Sequence, residues 1–221
     1  MKSEDTIYAL HNKAVEAATN GDIDELYVIR TQMMAILKEE ENKPLDLHTD
    51  RYNGYASLVY LDMFDFPKAL EYMEKIKEPT EGILYRIEKT KEDIKTYQEK
   101  SDALLANIGM ARNCPKHLLT GYLEKMSGLS FKVLPTTYGN TLILIQLLKA
   151  EGIMNYRLEN YKASVIYFDE SRKHMPVDTE IMYYHIKALR FTGQNQRANQ
   201  LVEYVRRISI DEEIRDILVK L

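Results

Sequence analysis

Few residues of this 221-residue chain could do chemistry, and they are widely separated. The histidines lie far apart, and none stands at metal-ligand spacing from another. No HExxH, CxxC or GxSxG motif and no glycine-rich phosphate loop occurs. Neighbouring carboxylates such as Asp169 and Glu170 point about 100° apart on a helix, which is typical of solvated surface. We therefore expect no metal site and no cofactor. The histidines are His11, His48, His117, His174 and His185.

The single cysteine, Cys114, could act as a nucleophile because Lys116 and His117 follow it closely. A cysteine that precedes a proline in a loop is, however, more often an ordinary residue. A lone cysteine also excludes an internal disulfide and suits a reducing compartment. The sequence therefore predicts a protein that is not an enzyme.

Composition predicts an all-α protein. Leu, Ala, Glu, Lys, Met and Tyr dominate, Gly and Pro are few, and Val and Thr form no alternating runs. The N-terminal residues MKSEDTIYALHNK lack the apolar stretch of a signal peptide. The most apolar run, Leu142 to Leu148, is interrupted by Gln146 and is too short to cross a bilayer. We expect a cytoplasmic protein without membrane insertion.

The net charge of −4 is distributed unevenly. Residues 1–82 carry −8, residues 83–140 carry +3 and residues 141–221 carry +1. Such a chain is unsuited to general nucleic-acid binding, which relies on basic surface. A solvated surface of mixed charge is the ordinary interpretation. The alternative is that the acidic N-terminal half supports head-to-tail association or selects a polar partner.

The segment from Gly152 to Pro176 predicts two helices joined by a tight turn, with small and aromatic residues at fixed offsets. After Gly152 these residues are Tyr156, Leu158, Tyr161, Ser164, Phe168, Ser171 and Pro176. The segment resembles a tetratricopeptide repeat, a helix–turn–helix unit of about 34 residues. A shift of about that length finds a second unit, with Gly193 in the turn and Ala198 in place of Ser164.

Two further hairpins near the N-terminus fit the same spacing less closely. One has Ser57 at the Gly152 position and Ala69 at the Ser164 position, and the other has Gly21 at its turn. The resemblance implies a right-handed solenoid of helical hairpins that binds proteins. An irregular helical bundle with the same apolar periodicity is the alternative.

The predicted organisation has three parts. Residues 1–79 form an N-terminal hairpin pair, residues 80–140 a long helix with a connecting segment, and residues 141–221 a C-terminal repeat pair with a capping helix. Residues 83–109 predict an uninterrupted helix of about 40 Å. One long helix packed along its own chain is favoured over a coiled-coil dimer, which would make the protein a homo-oligomer. The heptad positions are Ile87, Thr90, Ile94, Tyr97, Ser101, Leu104 and Ile108.

The resemblance also implies a concave groove lined by the first helix of each hairpin. Basic residues and aromatics interleave at the groove positions, which is typical of a surface that holds a peptide with acidic groups. Lys149 would suit the clamping of a C-terminal carboxylate, but Ile153 stands where an Asn would be needed. The groove positions of the last two repeats are Gln146, Lys149, Ile153, Tyr156, Arg157, Glu180, Tyr183, Lys187, Arg190 and Phe191.

The predicted function is that of a non-catalytic adaptor, scaffold or chaperone that captures a peptide or helix of a protein partner. A regulatory sensor that binds a short signalling peptide is one alternative. A structural assembly subunit that oligomerises through residues 83–109 is another. Basic residues that merely solubilise a scaffold face would account for the same pattern.

Overall fold

The computed structural model describes residues 3–20, 22–40, 49–126, 129–134, 138–174, 178–208 and 210–221. These residues fold into helices and connecting turns and contain no strand, which confirms the prediction of an all-α protein. The features predicted at Gly21, His48 and Pro176 lie outside the described residues. The uninterrupted helix predicted over residues 83–109 is present and runs from Glu81 to Asn113.

The helices follow one another in chain order with short connections. They are α1 (Ser3–Thr19), α2 (Ile23–Glu40), α3 (Asp50–Asp62), α4 (Phe66–Glu74), α5 (Glu81–Asn113), α6 (Lys116–Met126), α7 (Tyr138–Arg157), α8 (Tyr161–Arg172), α9 (Thr179–Phe191), α10 (Asn195–Arg207) and α11 (Glu212–Val219). A 3-10 turn at Ser130–Lys132 precedes α7.

The chain divides into two compact units. One comprises residues 1–95 and 207–209, and the other comprises residues 96–206 and 210–221. The division falls inside α5. On α5, the heptad positions Thr90, Leu104 and Ile108 are buried within the chain itself.

The first unit contains two helical hairpins. Helix α1 packs against α2, α3 packs against α4, and α3 also contacts α1 and α2. Tyr60 and Tyr72 stack with their ring centroids 5.5 Å apart. Ser57 and Ala69, the small residues singled out by their spacing, are fully buried in the closely packed interior.

In the second unit, α7 packs against α8, α8 packs against α9, and α7 also contacts α9. Gly152 and Ser164 lie at the crossing of α7 and α8, where the Ser164 hydroxyl donates a hydrogen bond of 3.0 Å to the Gly152 carbonyl. A Cβ atom on Gly152 would lie 2.5 Å from Cε1 of Phe168. Only glycine therefore permits this approach of the two helices.

Four of the turns between helices share one backbone hydrogen bond, in which an amide reaches the carbonyl five residues earlier. This bond is characteristic of the Schellman motif that ends many helices. The bonds run from Asp22 to Ala17 (2.9 Å), from Asp65 to Tyr60 (2.9 Å), from Asn160 to Asn155 (2.9 Å) and from Gln194 to Leu189 (2.8 Å).

In three of these turns the residue before the bonded amide has a left-handed backbone. The φ angles are 59° at Phe64, 64° at Glu159 and 75° at Gly193. Gly193 meets the requirement without strain, whereas Phe64 and Glu159 adopt a conformation that disfavours a side chain. The turns after α7 and α9 are thus equivalent, and the chain positions of their bonded amides differ by 34 residues.

Candidate functional site

Predicted groove residues of α7 and α9 meet in a cluster of five aromatic rings, which we call the aromatic cluster. Tyr156 lies 5.1 Å from Tyr184 and 6.3 Å from Phe191, measured between ring centroids. Tyr161, the first residue of α8, lies 5.4 Å from Tyr156 and stacks on Phe191 at 4.5 Å. Tyr183 completes the cluster by an edge contact with Tyr184 at 5.2 Å.

Periodicity explains how α9 presents these rings together. Phe191 follows the adjacent residues Tyr183 and Tyr184 by about two helical turns, so all three rings lie on one side of α9. Phe191 is 58% exposed although it is aromatic, whereas burial raises the pKa values of Tyr156 and Tyr184. The raised pKa values keep both phenols neutral throughout the physiological pH range. The two neutral tyrosines and the exposed ring of Phe191 together form a largely apolar surface.

Lys187 supplies positive charge beside the aromatic cluster. Its Nζ donates a hydrogen bond of 3.1 Å to the Tyr183 hydroxyl and lies 4.9 Å from the centre of that ring. The hydrogen bond to Tyr183 raises the pKa of Lys187, although burial acts in the opposite direction. No carboxylate pairs with Lys187 among the described residues. The neutral phenol of Tyr183 accepts a hydrogen bond from the Lys187 ammonium group but does not neutralise its charge.

Arg190 is a second cation of α9 whose partner is neutral. Its Nη2 donates a hydrogen bond of 3.3 Å to Oδ1 of Asn199 on α10. Its Nε is buried and has no hydrogen-bond partner in the described part of the chain. Lys187 and Arg190 lie three residues apart, which places them on neighbouring positions of one helix face.

Lys149, by contrast, is committed to the fold. It is only 8% exposed, and its Nζ lies 2.7 Å from Oδ2 of Asp178 and 2.8 Å from Oε2 of Glu180. Glu180 also pairs with the guanidinium of Arg112 at the end of α5. Burial opposes the ionisation of Glu180, but Arg112 and Lys149 outweigh it and lower the pKa of the carboxyl group. This network leaves Lys149 and Glu180 without free capacity for a ligand.

Arg157 also acts inside the chain. Its Nη1 donates to the carbonyl of Ala111 at 2.8 Å, and its Nη2 donates to the carbonyl of Cys114 at 2.7 Å. A guanidinium in this place satisfies the last carbonyls of α5 and complements the negative end of the helix. Ile153 is fully buried in α7. The other predicted groove residues are at least partly exposed and are available for contact with a ligand. They are Gln146, Tyr156, Tyr183, Lys187, Arg190 and Phe191.

Sequence reasoning missed a cavity beside the aromatic cluster. Its volume is about 600 Å³, and it lies between residues 159–163, which include the α7–α8 turn, and the end of α9 at Phe191 and Thr192. Tyr161 and Lys162 belong to its walls. The repeat resemblance led us to the first helices of the hairpins, whereas these residues lie in a turn and at the start of a second helix. The signal that could have found them is the aromatic and basic character of the dipeptide after the turn.

Within the part of the chain that the structure describes, the reactive side chains considered from the sequence do not come together. Cys114 is 3% exposed and its Sγ faces the carbonyl of Pro115 at 3.5 Å. Within the described residues, no three or more histidine, cysteine or acidic side chains group as a metal site would require. No helix in this part of the chain combines the length and the apolar character of a bilayer-spanning segment.

One buried titratable group lies apart from the aromatic cluster. His185 of α9 is fully buried, and its Nε2 lies 3.2 Å from Oδ1 of Asp169 on α8. Arg197 of α10 reaches the same oxygen at 2.6 Å. Burial lowers the pKa of His185, and His185 and Arg197 together hold the pKa of Asp169 at about 2 although burial opposes its ionisation. The three residues link three consecutive helices.

Comparisons with known proteins give no assignment. No protein-family model matches the chain, and no curated protein and no solved structure shows significant similarity to it.

Proposed function

We propose that this chain is a non-catalytic interaction module of the tetratricopeptide-like kind, which captures a peptide segment of a partner protein on the α7–α9 face. The observation that carries the proposal is the exposed ring of Phe191, stacked on Tyr161 beside a lysine that has no carboxylate partner in the described structure. Aromatic anchors with a nearby cation are enriched at protein-binding surfaces.

Packing supports the solenoid part of the proposal. In the second unit α7 packs against α8, α8 packs against α9 and α7 also contacts α9, which is how stacked helical hairpins share one core. The turns after α7 and α9 recur at 34 residues, the length of this repeat class. Gly152, Ser164 and Phe168 meet at the helix crossing, where the repeat spacing requires small residues beside an aromatic.

The charges of the face support a partner with acidic groups. Lys149 and Arg157 are engaged inside the chain, so the available cations are Lys187 and Arg190. This is a smaller positive surface than the four cations of the sequence prediction. The ligand's carboxylates would pair with these two cations while its apolar side chains pack on the aromatic cluster.

An affinity experiment on the full chain tests the proposal. The site variant carries Lys187→Glu and Phe191→Ala. The matched control carries Lys100→Glu and Ile166→Ala, which change one exposed lysine and one exposed large apolar residue outside the site. Lys149 and Arg157 are left intact because their reversal would disturb the fold itself.

Both variants and the wild type are immobilised and exposed to an extract of the source cells, after circular dichroism has verified equal helicity. We expect one or more proteins that the wild type and the control retain and the site variant loses, read by mass spectrometry. Identical proteins on all three would refute the α7–α9 face as the binding surface. Cytoplasmic location and non-catalytic action are parts of this proposal and are tested by the partner's identity.

A further inference from the structure

Tyr161 and Phe191 give the cavity at the α7–α8 turn an apolar lining, and a third aromatic ring holds this pair in place. Tyr161 and Phe191 stack with an interplanar angle of 16°, and Tyr156 contacts both rings from the side of the aromatic cluster. A ring pair held by a third ring cannot turn away from solvent without losing these contacts. The exposed surface is therefore preformed, and a further flat ring can pack on it in an offset or edge-on manner.

The cavity is large enough for an aromatic side chain together with the backbone on either side of it. About 600 Å³ falls within the range of ligand pockets, and the walls come from residues 159–163 on one side and from Phe191 and Thr192 on the other. The hydroxyl of Thr192 is occupied by hydrogen bonds to the carbonyls of Ala188 and Leu189, both 3.0 Å long. The α9 wall thus offers apolar contact at Phe191 and no strong donor at Thr192.

Charge at the rim of the cavity is unbalanced. Glu159 is the acidic residue of the turn, and its carboxylate is already paired with the ammonium group of Lys116 at 2.5 Å. Lys162 is exposed and has no polar partner within the described residues. Lys187, which does not line the cavity, interacts with the hydroxyls of Tyr183 and Tyr156. The uncompensated charge beside the cavity is therefore positive.

We propose that the turn cavity is an anchor site for an aromatic side chain of an acidic peptide, in which a carboxylate next to the aromatic residue pairs with Lys162. The proposal rests on the proposed function, that the chain captures a peptide, and it adds a second contact outside the predicted groove. Phe191 is common to both surfaces, so one peptide can run from the α9 face into the cavity.

Titration of the full ¹⁵N-labelled chain with defined peptides tests the anchor site. The probes are acetyl-Glu-Phe-Glu-amide, acetyl-Lys-Phe-Lys-amide and acetyl-Glu-Ala-Glu-amide, at millimolar concentration. We expect the first to shift the amide signals of Lys162, Ala163 and Thr192, and the other two to bind several-fold more weakly. Lys162→Glu should remove the preference for the acidic peptide, whereas Lys100→Glu should not; both residues are exposed.

Each outcome decides the proposal. Equal binding of the Glu-flanked and Lys-flanked peptides, or silence of the turn amides with all three, would overturn the anchor site. Shifts at α9 without shifts at the turn would refute the cavity while leaving peptide capture on the α7–α9 face intact. Phenylacetate binding as tightly as acetyl-Glu-Phe-Glu-amide would replace the peptide with a small aromatic acid. Turn shifts together with an unchanged partner set in the affinity experiment would separate the anchor site from the proposed function.

Discussion

Gly152 and the ring of Phe168 face each other so closely that a Cβ atom on the glycine would lie 2.5 Å from Cε1. Phe168 is fully buried, so its ring has little room to withdraw. The approach of α7 to α8, which carries Tyr156 and Tyr161 into the aromatic cluster, depends on this absent side chain.

Gly152→Ala should therefore destabilise the chain by about 1–3 kcal/mol through overpacking. Phe168→Leu in the same chain should recover part of the loss, because the two sites are in contact and their effects are coupled. Urea unfolding followed by circular dichroism gives both values. Gly121→Ala, at a helical glycine with open space around it, is the control and should be neutral or slightly stabilising. An additive double variant would contradict the steric explanation.

The buried pair of Lys149 and Asp178 should make α7 sensitive to loss of one charge. Lys149→Ala leaves two carboxylates near each other in a largely buried place and should cost about 3 kcal/mol of unfolding free energy. Lys149→Met with Asp178→Asn should restore much of that loss, since the amide of Asn can still cap α9. Lys116→Ala, which breaks an exposed pair, is the control and should change the unfolding midpoint little.

Left-handed turn positions predict opposite effects of two substitutions. Gly193→Ala should cost about 1 kcal/mol because an alanine with φ near 75° is strained, although nothing lies within 4 Å of the added Cβ atom. Glu159→Gly should raise the thermal midpoint, because it relieves the same strain at φ 64° and sacrifices only an exposed ion pair. Differential scanning calorimetry would detect both changes. A destabilised Glu159→Gly variant would show that the ion pair with Lys116 matters more than backbone strain.

Acid should weaken the chain through Asp169. Its pKa is lowered from 3.8 to about 2 in the folded state, so its stabilising contribution is complete above pH 3.8 and is lost as pH falls to about 2. After a discount for partial exposure, this contribution is about 1 kcal/mol. Asp169→Asn should therefore be less stable than the wild type at pH 7, with a difference that shrinks as pH falls through about 2, measured by urea unfolding at stepped pH. A difference that persists unchanged at acid pH would exclude the ionised carboxylate as its source.

His185 adds a separate dependence at higher pH. Burial lowers its pKa, so the unfolded chain binds the proton first as pH falls below 6.5. Stability should then decline with falling pH until the folded histidine also becomes protonated. Asp169 limits the decline because it favours the charged imidazole.

Helix positions and the tight α7–α8 crossing were predictable from the sequence. The reason is local: Gly152, Ser164 and Phe168 lie within one hairpin, where helical periodicity fixes which residues meet. The same reasoning could not find that Lys149 pairs with Asp178 and Glu180, because that contact joins successive hairpins. Arg157 was expected in the groove, yet its partners are carbonyls at the end of α5, more than forty residues away. The sequence assigned Lys149 and Arg157 to the groove because of their positive charge. Their actual contacts depend on how the helices pack, which the sequence pattern does not reveal.

The carboxylate of Asp178 divides its two oxygens between two tasks. Oδ1 accepts hydrogen bonds from the amides of Glu180 and Ile181 at the start of α9. Oδ2 accepts a hydrogen bond from the ammonium group of Lys149 on α7. Asp178 therefore both caps the first turn of α9 and joins α9 to α7 of the preceding hairpin. Loss of this one carboxylate would remove the helix cap and the contact between helices together.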